Sequence, residues 1–383
     1  MHEKPGMPTT DILIIGAGIA GASLAYELAP FARVTLLERE SQPGYHTTGR
    51  SAAMFSPIDG NRVIQALTAA SRAFYQAHAG GLAAQPVLTP RGELITARED
   101  QLAALDAYAA ALQVAGLERL DRQQVLDKLP ILRPDVAAAL YDAGSMDLDV
   151  AAVHQGYLEG FRARGGALVI DAGVTAIAAD AAPWQVETAA GRFEAAVLVD
   201  AAGAWADELA AMAGIAPLGL VPRRRTMLVM ETATPIDPAW PAVFDVGEEF
   251  LFKPESGHLQ GSPADQTPMA PCDVQPDELD IATAVDRIER ATTLQVRRVR
   301  HKWAGLRTFA ADRTPVVGPD PNPGFFWFAG QGGYGIQTAP AMARAGASLL
   351  IEGVLPDDLL DLGLRPGDLT PARLRSGAPL PKS

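Results

Sequence analysis

The stretch that decides the fold is Asp11-Ile-Leu-Ile-Ile-Gly-Ala-Gly-Ile-Ala-Gly21. A short apolar run that stops at a glycine predicts a buried parallel strand. Small and apolar residues at helical spacing then predict a helix over residues 19–28, which Pro30 ends. A second apolar run over residues 34–37 predicts another strand. The stretch and its continuation therefore form a strand–helix–strand unit.

The glycine spacing in this unit predicts a dinucleotide site. Gly16 permits a sharp turn, Gly18 lets the backbone approach a pyrophosphate, and Gly21 allows the helix to pack closely on the strand. The helix N-terminus offers free N–H groups and a positive dipole end to the phosphates. Glu38 follows the second strand, where a carboxylate accepts hydrogen bonds from a ribose. The predicted contacts are Gly16, Ala17, Gly18, Ile19, Ala20, Gly21, Glu38 and Arg39. The alternative is a glycine turn that serves packing, and the motif does not distinguish NAD from FAD.

Composition narrows the class of protein. The chain has 383 residues, 32 Lys and Arg against 45 Asp and Glu, and a formal net charge of −13. Because phosphate binding needs clustered positive charge, this balance argues against a nucleic-acid partner. The single cysteine, Cys272, argues against a disulfide framework, and the histidines lack the spacing of a metal site. No apolar run approaches the length of a spanning helix, and the polar residues 1–10 lack the apolar core that a secretory signal would have. We expect a cytoplasmic protein, with peripheral docking at a membrane left open.

The remaining pattern predicts two domains built from interleaved segments. Helices are predicted over residues 63–77, 101–116, 150–164 and 338–352. Strands are predicted over residues 167–171, 194–200, 224–231, 250–253 and 325–328, with a strand pair over 88–97 around the turn Pro90-Arg-Gly92. The tail after Pro356 lacks a clear period, so we expect it to wrap the surface.

Five further segments carry a family resemblance. They read Gly44-Tyr-His-Thr-Thr-Gly-Arg-Ser-Ala-Ala-Met-Phe55, Leu198-Val-Asp-Ala-Ala-Gly-Ala-Trp-Ala-Asp207, Trp303-Ala-Gly-Leu-Arg307, Thr314-Pro-Val-Val-Gly318 and Gly330-Gln-Gly-Gly-Tyr-Gly-Ile-Gln-Thr338. In this order they resemble the D-amino-acid oxidase (DAO) superfamily of FAD enzymes, and within it most closely the D-arginine dehydrogenases. The resemblance covers nearly the whole chain.

The resemblance implies a fold and a cofactor. The fold is α/β, with a Rossmann-like FAD-binding domain of the GR2/DAO type and an interleaved α+β substrate domain that carries a large mixed sheet. The implied FAD-binding segments are 8–85, 145–215 and 300–365, the substrate segments are 86–144 and 216–299, and 366–383 is a C-terminal tail. FAD is expected to be non-covalent, because no cysteine stands near Thr314 and Cys272 lies far from the flavin motifs.

The same resemblance implies further flavin contacts. They are Thr48, Gly49, Arg50, Ser51, Ala52, Ala53, Val174, Ala202, Gly203, Trp205, Gly332, Gly333, Tyr334, Gly335, Ile336 and Gln337. A helix N-terminus at Gly332-Gly-Tyr-Gly335 would stabilise negative charge on the reduced flavin by about 0.3–1 kcal/mol, and by up to about 2 kcal/mol when partly buried. A helix capped by glycines for packing is the alternative.

Three charged residues are the candidates for substrate binding. Arg307 matches the family's carboxylate arginine, whose planar fork grips a carboxylate through two hydrogen bonds. Arg224 is expected to join it, because strand alternation turns it away from Arg223 and Arg225, which we expect at a solvated edge. Glu93 matches an acid that faces a cationic substrate side chain in D-arginine-dehydrogenase-like enzymes, with a surface strand position as the alternative.

The pocket departs from that family pattern. Met54 stands where close relatives carry a histidine, and Asp59 stands near the position of a tyrosine. Leu251 replaces a pocket tyrosine and Phe244 replaces a smaller aliphatic residue. With Phe55, these residues predict a dry and narrow pocket that favours apolar D-amino acids or a secondary amine. Tyr334 is the candidate for supplying the missing hydroxyl.

The predicted function is FAD-dependent oxidative deamination of D-amino acids. Hydride leaves Cα for the flavin, and the imine hydrolyses to a 2-oxo acid and ammonia. No side-chain base is required, because the amine can lose its proton to water, and positioning supplies much of the rate. The alternatives are a sarcosine, N-methyl or glycine-type amine oxidase, a 2-hydroxy-acid dehydrogenase, and an electron-relay flavin subunit. The acceptor is a quinone, a carrier or oxygen, and the protein is a monomer or homodimer.

Overall fold

The computed structural model describes residues 9–112, 116–178 and 182–375. The strands are β1 (Thr9–Ile15), β2 (Val34–Leu37), β3 (Met54–Phe55), β4 (Leu88–Pro90), β5 (Glu93–Arg98), β6 (Glu118–Asp121), β7 (Val136–Asp142), β8 (Met146–Leu148), β9 (Ala167–Val169), β10 (Val174–Ala178), β11 (Trp184–Thr188), β12 (Gly191–Asp200), β13 (Val221–Thr232), β14 (Ala242–Asp245), β15 (Leu251–Glu255), β16 (His258–Ser262), β17 (Val296–Phe309), β18 (Val316–Pro319) and β19 (Phe325–Ala329). The helices are α1 (Ile19–Leu28), α2 (Arg62–Gln76), α3 (Leu102–Ala111), α4 (Arg122–Lys128), α5 (Val150–Ala163), α6 (Ala206–Met212), α7 (Glu278–Ala291), α8 (Gly335–Ile351), α9 (Asp357–Asp361), α10 (Pro366–Leu369) and α11 (Ala372–Arg375).

The first sheet contains the strand–helix–strand unit that the sequence predicts. Its strands follow the order β10-β11-β12-β1-β2-β9, and the β18–β19 pair joins it through β12. β1 pairs in parallel with β2 and β12, and β12 pairs in parallel with β19. Apolar residues of α1, α2, α5 and α8 form one core with alternate residues of β1 and β2. Since the parallel strands all end at the same edge, the loops that follow β1, β2 and β12 meet there.

The second sheet has the strand order β17-β13-β16-β15-β14-β5-β7-β6. All its pairs are antiparallel except β14 with β5. The long β13–β17 pair places Arg225 opposite Gly305 and Arg223 opposite Arg307. The domain boundary expected at residue 300 falls inside β17, which pairs with β13 through most of its length.

Three local expectations need correction. The strands predicted over 88–97 form but do not pair with each other, because β4 joins β8 in a three-stranded sheet with β3, whereas β5 joins β7 and β14. The helix predicted to reach residue 116 ends at Ala111, and residues 113–115 lie outside the described part. The tail forms α9–α11, and it buries Leu359, Leu364 and Leu369 completely. A buried leucine at every fifth position anchors these short helices to the main core.

Candidate functional site

A cavity of about 940 Å³ lies between the two sheets. Its wall combines residues of both glycine turns, the 44–56 segment, β13, β15 and β17. Loops at the carboxyl edge of a parallel sheet are the usual place for a dinucleotide. The arrangement therefore brings the predicted cofactor segments and the predicted substrate segments to one space.

The first glycine turn is built for close backbone packing. Gly16 has a φ of +104°, and a Cβ there would lie 2.5 Å from the carbonyl oxygen of Ala201. A Cβ on Gly21 would lie 1.9 Å from the carbonyl oxygen of Gly16, so this glycine lets α1 pack against the turn. Both positions therefore exclude any larger residue.

Glu38 and Thr48 hold the same turn in place. The buried Glu38 carboxylate accepts hydrogen bonds from the Ala17 and Glu40 N–H groups, both at 3.0 Å. Burial raises the pKa of Glu38. The Ile19 N–H donates to the Thr48 hydroxyl at 3.0 Å. This hydroxyl therefore caps α1 and takes an N–H group that we expected to face a phosphate.

The 44–53 segment is tied to the second sheet. Arg50 donates to the carbonyl oxygens of Val274 at 3.0 Å and Ala304 at 3.1 Å, and it forms an ion pair with Asp273. The Trp303 indole N–H donates to the Arg50 carbonyl oxygen at 2.8 Å. These contacts fix the segment over the cavity from the side of β17.

The second glycine turn lies beside Arg307. Gly332 has a φ of +58°, and a Cβ there would meet the Phe309 ring at 2.4 Å. A Cβ on Gly333 would come within 3.0 Å of the Arg307 Nη1. Helix α8 begins two residues later, and its first residues line the cavity. The positive end of the α8 dipole therefore faces this space.

Arg307 is the most exceptional charged residue of the site. Its Nε and Nη2 are buried and have no hydrogen-bond partner among the residues that the structure describes. Burial, reinforced by the nearby Arg225, lowers the pKa of Arg307 to about 9, so the guanidinium stays charged at neutral pH. Unpaired buried donors cost about 1–3 kcal/mol each, or more when charged. This arrangement suits a guanidinium that an incoming anion completes.

Arg225, and not Arg224, is the second arginine of the cavity. Arg225 lines the wall, and burial lowers its pKa. Arg224 points to the other face of β13, where it pairs with Asp280 at 2.6 Å and Asp265 at 3.4 Å. The two arginines point to opposite faces of β13 as expected, but Arg225 is the one that faces the cavity and Arg224 faces away from it. The acids that capture Arg224 lie about 40 to 55 residues later in the chain, so the sequence of β13 does not reveal them.

Glu93 does not line the cavity. It is 2% exposed and accepts a hydrogen bond from the Ser145 hydroxyl at 2.9 Å. Burial raises the pKa of Glu93 to about 7, and the charges of Asp59 and Asp142 add to this increase. Glu93 therefore lies behind the cavity wall, where it does not meet a substrate side chain as the resemblance implied.

The apolar pocket residues divide in the same way. Met54, Phe244 and Leu251 line the cavity. Phe55, the next residue in β3, is completely buried, and its ring packs edge-on against Tyr75 at 5.9 Å. Tyr334 lies outside the wall and packs edge-on against Phe309 at 6.4 Å.

Most predicted cofactor contacts line the cavity. These are Gly16, Gly18, Ile19, Ala20, Glu38, Arg39, Thr48, Arg50, Ser51, Ala52, Ala53, Val174, Ala202, Gly203, Trp205, Gly332, Gly333, Gly335, Ile336 and Gln337. Ala17, Gly21, Gly49 and Tyr334 do not line it. Gly49 instead closes a turn, where its N–H donates to the Gly44 carbonyl oxygen at 2.7 Å.

Two histidines form hydrogen bonds or ring contacts at or beside the cavity wall. His154 is buried and donates through Nε2 to the Ala17 carbonyl oxygen at 2.8 Å, and burial lowers its pKa. His46 lines the cavity, where it contacts Glu40 at 2.8 Å and packs against the Trp205 ring. In the described ranges, no group of three or more His, Cys, Asp and Glu side chains could hold a metal ion.

The sequence argument missed Asp59 as a cavity residue and noticed it only as a departure from the family pattern. Asp59 lines the wall together with Lys253, whose ammonium pairs with Asp147 at 2.6 Å. Neither residue belongs to a recognisable motif. An acid between an apolar strand and a predicted helix was the available signal for Asp59.

A family model described as "DAO: FAD dependent oxidoreductase" matches residues 11–349. The protein belongs to this family. FAD is therefore its cofactor, and the predicted membership of the DAO superfamily is confirmed.

Curated relatives match nearly all or about half of the chain's length at low identity. Human mitochondrial dimethylglycine dehydrogenase is 25% identical over 405 residues, which span 94% of this chain and 45% of the relative. The L-2-hydroxyglutarate dehydrogenase of Salmonella houtenae is 30% identical over 224 residues, which span 54% of this chain and 50% of the relative. The chain thus spans about half the length of these curated relatives.

Solved structures share the architecture. Glycine oxidase from Geobacillus kaustophilus superposes with a TM-score of 0.78 at 23% identity, covering 89% of this chain and 94% of that one. L-proline dehydrogenase from P. horikoshii gives a TM-score of 0.82 at 19% identity, covering 96% and 98%. The predicted fold class, a DAO-type FAD-binding fold with mixed sheets, is confirmed.

The residues present fit FAD. Both glycine turns reach the cavity at positions where a Cβ would clash. Glu38 follows β2, the position at which a carboxylate binds the ribose hydroxyls of the dinucleotide. The α8 N-terminus faces the same space, where its positive dipole end would stabilise the negative charge that the flavin gains on reduction. Among the described helices, none is long and apolar enough to cross a bilayer.

Proposed function

We propose that the protein oxidises the amine of a small amino acid of the glycine or sarcosine type, with a primary or N-methylated nitrogen. The observation that carries the proposal is Arg307, a charged guanidinium with two buried and unpartnered nitrogens at the cavity that fits FAD. A carboxylate supplies the paired acceptors that such a fork lacks.

The pocket walls favour a small substrate. Met54, Phe244 and Leu251 give the cavity apolar and bulky side chains on the side of the second sheet. The similarity to a dimethylglycine dehydrogenase over 94% of this chain and to glycine oxidases supports this choice. We therefore prefer the glycine or sarcosine type to the D-amino acid that the sequence pattern alone suggested.

The chain's own residues would bind and orient the substrate. Arg307 and Arg225 hold the carboxylate, so that the carbon bonded to nitrogen is fixed in one orientation. The apolar walls exclude water, and the α8 N-terminus stabilises negative charge. FAD supplies the hydride acceptor when it is bound. The resulting imine hydrolyses to a carbonyl compound and an amine.

A D-amino acid remains the second candidate. The residues 44–53 and 330–338 resemble those of D-arginine dehydrogenases, which supports a D-amino acid. Since Glu93 lies behind the wall, the structure offers no support there for a cationic side chain. The electron acceptor, whether quinone, carrier or oxygen, and a monomeric or homodimeric state belong to the same proposal.

A 2-hydroxy acid is favoured by one relative, L-2-hydroxyglutarate dehydrogenase. That reaction needs a base near the hydroxyl; His46 is engaged with Glu40 and Trp205, so the carboxylate of Asp59 would have to serve. An electron-relay subunit would not need the unpaired arginine.

The test is an anaerobic screen of the purified holoprotein. Glycine, sarcosine, N,N-dimethylglycine, both alanine enantiomers, D-arginine and L-2-hydroxyglutarate are added separately, and loss of oxidised-flavin absorbance is followed. We expect the glycine-type amines to reduce the flavin fastest. Reduction by D-alanine or D-arginine alone would establish the second candidate, and reduction by the hydroxy acid alone would refute amine oxidation. Repeating the screen in air, with peroxide as the readout, separates oxidase from dehydrogenase.

A further inference from the structure

Asp59 is a carboxylate of the cavity that the proposed binding scheme leaves unused. Its side chain lines the wall and forms no hydrogen bond or ion pair with another side chain within the described ranges. It lies in the turn between β3 and α2, on the same cavity as Arg307.

The turn that carries Asp59 is firmly held. On one side, the Ser56 N–H donates to the Gln337 Oε1 at 3.0 Å. On the other side, the Tyr108 hydroxyl donates to the carbonyl oxygen of the completely buried Ile58 at 2.8 Å. Gly60 follows with a φ of +80°, where a Cβ would clash with the Ile64 side chain. These contacts hold the turn rigidly, and a functional site requires such support for its side chains.

The N-terminus of α2 adds to this support. Asn61 caps the helix by accepting hydrogen bonds from the Val63 and Ile64 N–H groups at 3.0 and 3.2 Å. Its amide also donates to the Thr314 hydroxyl at 2.9 Å. The Asp59 turn is therefore anchored to α3, α8 and the segment before β18.

Asp59 shares its surroundings with several charged or titratable groups. The groups that interact electrostatically with Asp59 are Arg307 on β17, Arg225 on β13, Glu93 on β5, Tyr334 before α8, Tyr108 on α3 and Glu248 after β14. Arg307, Arg225 and Asp59 all line the cavity, so two cations and one carboxylate face the same space. This pattern matches the carboxylate and the ammonium of a zwitterion.

We propose that Asp59 binds the substrate ammonium and accepts one of its protons. The inference rests on the proposed function, because it assumes an amino acid held at Arg307. In the step, one N–H bond of the ammonium breaks, an O–H bond forms on the Asp59 carboxylate, and the electron pair stays on nitrogen. The amine becomes neutral, as hydride loss from the adjacent carbon demands, and the proton remains in the site.

The surroundings suit this role. Burial raises the pKa of Asp59, which makes its carboxylate a stronger proton acceptor, while the charges of Arg307 and Arg225 oppose the increase. The pKa of Glu93, which burial and the charge of Asp59 raise to about 7, limits a second negative charge near Asp59. The amine therefore need not lose its proton to bulk water.

The test compares two probes of one shape on the holoprotein. Betaine carries a fixed cation at the amine position, and 3,3-dimethylbutyrate replaces that nitrogen by carbon; neither has an amine to oxidise. Binding is measured by calorimetry. We expect wild type to prefer betaine by roughly 10- to 100-fold, the range of a charge-assisted contact. Asp59→Asn should remove the preference, whereas Asp59→Glu should keep much of it.

The matched control is Glu208→Gln. Glu208 also lines the cavity but lies on α6 beside the first sheet, so its loss removes the same charge elsewhere. We expect the control to keep the betaine preference. Wild type without a preference, including the case in which neither probe binds, would overturn the inference, and so would an unchanged preference in Asp59→Asn.

A pH profile tests the proton transfer. In Asp59→Asn the amine must arrive deprotonated, so kcat/KM should rise about tenfold per pH unit below the pKa of the free amine, and wild type should rise less steeply. Parallel profiles would refute proton acceptance. If betaine is preferred through Asp59 but no amine reduces the flavin, the proposed function fails and the cation site stands. If amines reduce the flavin without an effect of Asp59, the inference alone fails.

Discussion

Glu93 gives the sharpest quantitative prediction about the electrostatics beside the cavity. It is 2% exposed, and burial raises its pKa from 4.5 to about 7. The perturbation is Glu93→Gln, which keeps the shape and the acceptor for the Ser145 hydroxyl but cannot ionise.

The sign follows from the two states of the wild-type protein. Below pH 4.5, Glu93 is protonated in both folded and unfolded chains, so its burial then carries no ionisation penalty. Between pH 4.5 and about 7 the unfolded chain ionises first, and stability falls until the folded pKa is passed. The difference corresponds to about 3 kcal/mol. Glu93→Gln should therefore gain about that much relative to wild type between pH 4.5 and 8.

The assay is urea unfolding of both proteins at saturating FAD across this pH range. Glu159→Gln, at an exposed position on α5, is the control for removing one acid from the surface. Its difference from wild type should stay nearly constant with pH. A Glu93→Gln difference that is equally flat, or that shows the variant less stable above pH 7, would refute a buried carboxyl with a raised pKa.

Three further predictions concern the cavity walls. Gly16→Ala should yield protein with little bound FAD, measured by the ratio of flavin to protein absorbance, because a Cβ would lie 2.5 Å from a backbone oxygen; full FAD content would contradict this. Arg225→Met should weaken carboxylate binding at least tenfold. Arg224→Met should leave binding unchanged and lower the free energy of unfolding by about 1–3 kcal/mol, because Asp265 and Asp280 lose a charged partner while Asp265 keeps its hydrogen bonds from the Thr226 N–H and hydroxyl; equal effects on binding would refute the assignment. Phe244→Ala should raise kcat/KM for larger amino acids relative to glycine, and an unchanged ratio would place this ring outside the substrate region.

The strand–helix–strand unit of the first sheet was predictable because its signals are local. Residues 11–37 carry the strand, glycine turn, helix and strand in one continuous stretch, and helix α1 has the predicted bounds. Gly16 and Gly21 fix the turn by direct backbone contact, so no distant residue has to be known.

The arginines of β13 show where local information stops. Period-two alternation correctly separated Arg224 from Arg225, but either face could meet the cavity. The decision comes from Asp265 and Asp280, which bind Arg224 from a loop and from α7. A pattern within the strand does not contain these partners.

Glu93 and Phe55 show the same limit for burial. Phe55 follows Met54, which lines the cavity, yet Phe55 turns into the core beside Tyr75. Glu93 is buried and bonds with Ser145. Their positions depend on how β3 and β5 pair, and β5 pairs with β14, a strand about 150 residues away. A family resemblance aligned these residues but did not give their direction.

The most direct test of the account is the affinity of the holoprotein for an unreactive carboxylate. Acetate binding is followed through the flavin absorbance in wild type, in Arg307→Met and in the control Arg223→Met, which changes an arginine of β13 outside the cavity wall. The account predicts that Arg307→Met retains FAD and binds acetate roughly 10- to 100-fold more weakly, while the control binds as wild type does. Equal acetate affinity in all three proteins would contradict the claim that Arg307 holds the substrate carboxylate.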